Sequence, residues 1–168
     1  MAKRTSRGDD RAVVRKALEH ALSGEGAHSI TREVFADLDW KLAGVRFAPA
    51  PHSVHELLHH MIFWQEWVLS WLDGRDPAIP KHASGSWPRR QAPADRREWT
   101  AAVGKFRRGL DALRRRARRA DLLAGGEAKS RLEMLQTIAS HNSYHAGQVV
   151  GLRQMLGAWP PRSGGLTW

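Results

Sequence analysis

The sequence predicts an all-α protein, a four-helix bundle with a short extra helix after the first helix. Apolar residues recur at spacings of three and four along most of the 168 residues, and no segment keeps a period of two. Clusters of glycine and proline separate these periodic segments, and eight tryptophans suit a bulky core. At this length we expect one domain over 1–168, with a core over about 10–161 and a polar tail over 1–8.

The first helix is predicted over residues 9–23, with Asp9 or Asp10 as its N-cap and Gly24 after its last residue. An aspartate accepts hydrogen bonds from the free N–H groups of a first turn, and a glycine readily adopts the left-handed conformation that ends many helices. One face of this helix is apolar and is expected to be buried; it comprises Val13, Val14, Ala17, Leu18, Ala21 and Leu22.

The next two helices differ in length. A short helix is predicted over 31–42, with Ser29 as an alternative start. A long helix is predicted to begin after Ser53 and to end at Asp73. Ser53 and Glu56 have the spacing of a capping box, in which each side chain bonds the backbone N–H of the other residue.

The last two helices follow a loop that is rich in proline. The helix over 95–120 has the most regular apolar stripe of the chain, formed by Trp99, Val103, Phe106, Leu110, Leu113 and Ala117. Such a narrow stripe suits packing in a bundle. Two glycines at 125–126 then precede a long final helix, which is predicted from about Ala128 to Leu156.

The chain is strongly basic, with a formal net charge of +10. Much of this charge lies on the helix over 95–120, at Arg107, Arg108, Arg114, Arg115, Arg116, Arg118 and Arg119. A basic face attracts anions without sequence specificity and keeps nucleic acid among the possible partners. However, the face has no interleaved aromatic residues and no spacing typical of a DNA-binding motif, so a merely solvated face is the alternative.

The composition also excludes several kinds of chemistry. The chain has no cysteine, so it has no disulfide, no thiolate ligand and no thiol nucleophile of its own. No apolar run approaches the roughly 20 residues that a spanning helix needs, and the N-terminus does not resemble a signal peptide. We therefore expect a soluble, cytoplasmic protein that does not enter a membrane.

Two histidines of the final helix, His141 and His145, project into the middle of its apolar sector. Because they are four residues apart, their Cβ atoms are expected to lie about 5–6 Å from each other. Buried imidazoles need polar partners, and one divalent metal ion would serve both of them. The alternative is a pair of core histidines that bond to backbone carbonyls or to neighbouring polar side chains.

A third ligand is expected from the long helix that follows Ser53, which carries His55, His59 and His60. The residues from His55 to His59 read HExxH, the zincin signature, in which two histidines bind zinc and the glutamate is a general base. The helical projection instead places His55 and His59 on a polar flank, as surface histidines, and His60 beside the core. A zincin also needs a strand to hold its substrate, and none is predicted. The residues therefore favour His60 as the third ligand.

Two segments resemble the DinB-like superfamily. The first covers residues 53–62, SVHELLHHMI, and matches the form S-x-x-E-L-L-x-H; the second begins HNSYHAGQVV at residue 141 and matches H-x-x-Y-H-x-G-Q. The resemblance covers about residues 10–161. It implies a four-helix bundle with a metal site of three histidines, which correspond to His60, His141 and His145.

The resemblance also implies an activity. Characterised relatives include S-transferases and isomerases that use low-molecular-weight thiols such as bacillithiol or mycothiol. It therefore implies one divalent ion, with an exogenous thiol or a water as the nucleophile, an unknown small-molecule substrate and a homodimer. Three histidines suit zinc, nickel, copper or iron, and zinc or nickel is expected. No general base is predicted; Gln65 and Gln148 are candidates for orienting a ligand. The alternatives are a bundle that a metal merely stabilises and a nucleic-acid-binding bundle that uses the helix over 95–120.

Overall fold

The computed structural model describes residues 7–119, 121–125, 129–162 and 164. Some predictions fall outside these described residues. They concern the first six residues, the second glycine of the 125–126 pair, Ala128 and the last four residues. The helices are α1 (Arg7–Ser23), α2 (Trp40–Ala43), α3 (Val54–Leu72), α4 (Arg96–Arg119) and α5 (Arg131–Met155), with short 3₁₀ turns at Thr31–Glu33 and Ala83–Ser86.

The four long helices form the predicted bundle, and α2 is its short extra helix. α1 and α3 each pack along both α4 and α5, whereas α4 and α5 touch each other only sparsely. α4 and α5 therefore lie across a diagonal of the bundle. Among the described residues the β-type pairing is limited to an isolated bridge between Gly125 and Ser130, so the all-α prediction is confirmed.

Two apolar clusters form the core. One contains the first part of α3, the first part of α4 and the end of α5, together with Val34 and Phe35 from the segment after α1. The other contains Leu18 and Leu22 of α1 and the opposite ends of α3, α4 and α5. The stripe predicted on α4 is buried at every position except Val103, which is partly buried.

The prediction for the first helix was wrong in two respects. α1 is already helical at Arg7, so Asp9 and Asp10 lie inside it and cannot be its N-cap. Leu18 and Leu22 are buried as expected, but Val13 is 68% exposed and Val14 is also exposed. Ala17 is exposed as well, so the apolar face is covered only from Leu18 onwards, where it packs in the bundle.

The single short helix predicted over 31–42 was also wrong. The segment forms a 3₁₀ turn at Thr31–Glu33, a bend at Asp37 with a φ of 56°, and then α2. A left-handed residue cannot continue an α-helix. Asp39 then starts α2, because its carboxylate accepts a hydrogen bond from the N–H of Lys41 at 2.8 Å.

The two helices that carry the candidate ligands, α3 and α5, each begin at a capping box. The predicted pair Ser53 and Glu56 is confirmed at the start of α3. α5 begins after Ser130, whose hydroxyl accepts from the N–H of Glu133 while the Glu133 carboxylate accepts from the N–H of Ser130. α5 therefore starts later than the predicted Ala128. The spacing S-x-x-E at 130–133 is the sequence signal that indicates this start.

Within the described ranges, each helix is either too short or too polar to cross a bilayer.

The capping box of α5 gives a first prediction. Ser130→Ala removes the acceptor for the N–H of Glu133 and is expected to lower the free energy of unfolding by about 1 kcal/mol. Urea unfolding followed by circular dichroism measures this change. Ser140→Ala, at an exposed position inside the same helix, is the control and is expected to leave stability unchanged or raise it by about 0.5 kcal/mol. Equal stability of the Ser130→Ala variant and the wild type would contradict the role of the cap.

Candidate metal centre

The structure brings together the three histidines that the sequence singled out. One ligand atom from each of His60, His141 and His145 lies within 4.8 Å of the others. The Nε2 atoms of His60 and His141 are 3.2 Å apart. The ring centroids of His141 and His145 are 4.5 Å apart, and those of His60 and His145 are 4.9 Å apart. Three imidazoles from two helices thus converge on one small volume.

The position of these rings follows from the helices that carry them. On α5, residues up to Ala139 belong to one apolar cluster and residues from Ala146 belong to the other, so both histidines lie at the junction between the clusters. α3 packs directly along α5 and supplies His60 at the same level. His60 and His145 are each 7% exposed, whereas His141 is half-buried, so the cluster approaches the surface on the His141 side.

Two of the rings are held by hydrogen bonds from their far side. The Nδ1 of His60 lies 3.3 Å from the carbonyl oxygen of Ser86, and the Nδ1 of His145 lies 2.7 Å from the Oε1 of Gln148. Because both partners are oxygen acceptors, each Nδ1 carries the hydrogen and each Nε2 carries a lone pair, which on His60 faces the Nε2 of His141. Metal-binding histidines are oriented in this way. The residues present therefore fit a divalent ion.

A tryptophan from the loop between α3 and α4 covers one side of the cluster. The indole of Trp87 stacks on the ring of His60 with centroids 3.9 Å apart and planes 6° from parallel, and on its other face it stacks on His52 at 3.5 Å. Trp64 of α3 meets His60 and His141 edge-on, each at 6.4 Å. The sequence analysis missed Trp87 and His52, since no periodic pattern links a loop residue to a helix face.

Burial keeps the three rings neutral at neutral pH. Burial, reinforced by the neighbouring histidines, lowers the pKa of His60 and that of His141 to about 4. Burial also lowers the pKa of His145. A neutral imidazole has the lone pair that a metal ion needs, so all three side chains are ready to act as ligands near pH 7.

The expectation for His55 and His59 was wrong. His55 is only 1% exposed and His59 is half-buried, because α3 packs on α4 as well as on α5 and therefore has two covered faces. Polar residues flank these two histidines on the helical projection, and this polarity had suggested that both lie on the surface.

The glutamate of the HExxH segment is occupied elsewhere. The carboxylate of Glu56 accepts from the N–H of Ser53 at 2.8 Å and from the guanidinium of Arg46 at 2.6 Å. Although burial raises its pKa, these hydrogen bonds hold the pKa below the usual value. Glu56 therefore caps α3 and is not available as the general base of a zincin.

The two glutamines behave differently. Gln148 supports His145, and its amide Nε2 also donates to the hydroxyl of Tyr144 at 3.3 Å. Gln65 is buried and faces α4, where a Cβ added to Gly109 would lie 2.2 Å from its Oε1. Only Gln148 therefore orients a ring of the cluster.

Part of the arginine face of α4 is used within the bundle. Arg107 pairs with Glu33 at 3.2 Å, Arg118 pairs with Glu19 at 2.6 Å, and Arg116 pairs with Asp73. These contacts connect α4 to α1, to the end of α3 and to the segment after α1. They account for three arginines of the basic run as bundle contacts and do not test binding to nucleic acid.

Comparison with known proteins gives one match. A family model described as the DinB superfamily matches residues 24–149, which is more than half of the chain and includes all three histidines. No curated protein and no solved structure matches.

The neutral histidines give a prediction on pH dependence. The pKa of His141 is about 4 in the folded chain and 6.5 when unperturbed, so between these values the unfolded chain binds the additional proton. The free energy of unfolding of the metal-free protein is therefore expected to fall as the pH decreases from 6.5 to 4. His141→Asn should make this slope shallower by about 1 kcal/mol per pH unit.

Urea unfolding at several pH values, in the presence of a chelator, measures the slope. Gln136→Asn is the matched control, since it changes an exposed residue of the same helix without removing a titratable group. If the His141→Asn variant and the wild type have the same slope, the ring of His141 is not held neutral by the fold.

Proposed function

Since the chain belongs to the DinB superfamily, we propose that it is a metal-dependent enzyme that holds one divalent ion with His60, His141 and His145. The observation that carries this proposal is the convergence of three neutral imidazoles within 4.8 Å. Ordinary core histidines would be expected to bond separately to backbone or side-chain acceptors. Here the Nδ1 atoms of His60 and His145 do so, while the Nε2 of His60 lies 3.2 Å from the Nε2 of His141.

The donor set favours a catalytic site over a closed structural one. Structural zinc sites have four protein ligands, whereas catalytic sites have three and leave a position for water or substrate. Three nitrogen donors suit zinc or nickel. When bound, such an ion supplies a Lewis acid that lowers the pKa of a coordinated water or thiol.

The surrounding residues orient and shield the ligands. Ser86 and Gln148 fix the rings of His60 and His145, and Trp87 covers the face of His60. The half-buried His141 and the exposed Tyr144 lie on the accessible side, so a small substrate would approach from there. Removing water from the other sides strengthens the electrostatic interactions within the site.

A thiol nucleophile must come from outside the chain. There is no cysteine in the sequence, so a thiol in the reaction has to be a small exogenous molecule. This agrees with the thiol-dependent transfer that the family resemblance implies. We therefore propose either transfer of a low-molecular-weight thiol to an electrophilic small molecule or hydrolysis of such a molecule.

Metal content is the first test of this proposal. Protein purified without a histidine tag and reconstituted with zinc is analysed by mass spectrometry of the metal. His60→Ala, His141→Ala and His145→Ala are each expected to lose one equivalent of zinc relative to the wild type, because each removes one of three ligands. Gln148→Ala is expected to bind zinc about 10- to 100-fold more weakly, since it leaves His145 unsupported.

His82→Ala, at an exposed position of the loop before α4, is the control and is expected to keep the full metal content. Equal metal content in the wild type and in all three ligand variants would rule out the three-histidine site.

Turnover is the second test. The zinc-loaded, nickel-loaded and metal-free proteins are assayed with a panel of small electrophiles, each with and without bacillithiol, mycothiol or glutathione. We expect activity that depends on metal and that falls at least about 100-fold in His145→Ala. Thiol-dependent turnover would indicate a transferase, and turnover without thiol would indicate a hydrolase. Metal binding without any turnover would favour the alternative, a bundle that the ion stabilises.

A further inference from the structure

A second histidine cluster lies on the other covered face of α3. His55 and His59 are one turn apart, and their ring centroids are 4.4 Å apart. Glu98, in the first turn of α4, completes the group, and one ligand atom from each of the three residues lies within 4.8 Å of the others. The HExxH segment thus contributes both of its histidines to one place, but the carboxylate beside them comes from another helix.

We propose that His55, His59 and Glu98 form a second site for a divalent transition-metal ion, separate from the three-histidine centre. Two imidazoles and one carboxylate are a donor set that binds zinc and related ions. Calcium and magnesium prefer oxygen ligands, and this cluster offers only one carboxylate.

The first argument is that the histidines are buried but incompletely bonded. The Nδ1 of His55 and the Nε2 of His59 are both buried, and neither has a hydrogen-bond partner among the described residues. His55 is almost completely buried, so water does not readily replace the missing partner. A buried polar atom without a partner costs about 1–3 kcal/mol. An ion bound by these nitrogens would offset this cost.

The second argument is that Glu98 is held in place by its surroundings. Its N–H donates to the Oδ1 of Asp95 at 2.7 Å, and its carboxylate accepts from the N–H of Ala94 at 2.8 Å and from Arg90 at 2.6 Å. A carboxylate has about four lone-pair positions, so it keeps both of these hydrogen bonds while it ligates an ion. Glu98 is thereby preorganised to face the two histidines.

The charges around the cluster are balanced. Arg90 is paired with Glu98, and Lys105, the other cation near His59, is paired with Glu66 at 2.8 Å. Each cation near the cluster therefore has a neighbouring carboxylate that offsets its repulsion of a bound ion. An ion here would connect the start of α4 to α3, whereas the three-histidine centre connects α3 to α5.

The test uses the full chain without a tag, with zinc buffered at a fixed free concentration. The wild type is expected to bind two equivalents of zinc, and the double variant His141→Ala/His145→Ala is expected to bind one. Adding Glu98→Gln to the double variant should weaken the remaining zinc at least about tenfold, because it removes a ligand. Glu25→Gln is the matched control, since it neutralises an exposed glutamate in the turn after α1, outside the cluster, and should change nothing.

No zinc in the double variant, or zinc that Glu98→Gln does not weaken, overturns the second site. If the double variant does not fold, the comparison is made in the otherwise wild-type chain, where Glu98→Gln should reduce two equivalents to one. A wild type that binds a single equivalent, insensitive to Glu98→Gln, then overturns the proposal. Failure of the three-histidine centre is distinct, because the double variant would then bind as much zinc as the wild type.

Discussion

The burial of three neutral imidazoles between α3 and α5 is the constraint on which the rest of the structure depends. Imidazoles interrupt an apolar core, and the core of this bundle is indeed divided into two clusters at their level. Each ring must either remain neutral or find a counter-charge. The fold meets this constraint with a backbone carbonyl at Ser86, an amide at Gln148 and an indole at Trp87, all placed around the histidines.

α3 is the helix that relates the two histidine clusters. It packs along α5 on one side and α4 on the other, so adjacent residues such as His59 and His60 point to different neighbours. A rotation of about 100° per residue is sufficient to separate them. The capping box of Ser53 and Glu56 fixes the start of α3 and hence the register of both histidine clusters. Because Glu56 is engaged in this cap and with Arg46, it takes part in neither cluster.

The sequence predicted what local spacing determines. The long helices, the α4 stripe, the Ser53 cap and the pairing of His141 with His145 all follow from periods of three and four. Contacts between distant segments could not be predicted in this way. Trp87 lies against His60 because of how the loop after α3 folds back, and Glu98 lies near His55 because of how α4 packs on α3. The prediction of a helix over 31–42 failed because Asp37 adopts a positive φ. The prediction that His55 lies on the surface failed because the polar residues flanking it were taken as a sign of exposure.

If the three histidines hold an ion as proposed, the stack of His52, Trp87 and His60 makes the loop before α4 part of the equilibrium of ion binding. Any ion that requires His60 in its present orientation also favours the conformation of the loop that holds that ring, through both Trp87 and the carbonyl of Ser86. Linkage is reciprocal, so order in the loop must raise affinity for the ion by the same factor by which the ion raises order in the loop. Evolution could therefore tune occupancy of the centre by changing prolines and glycines of this loop, without altering any ligand.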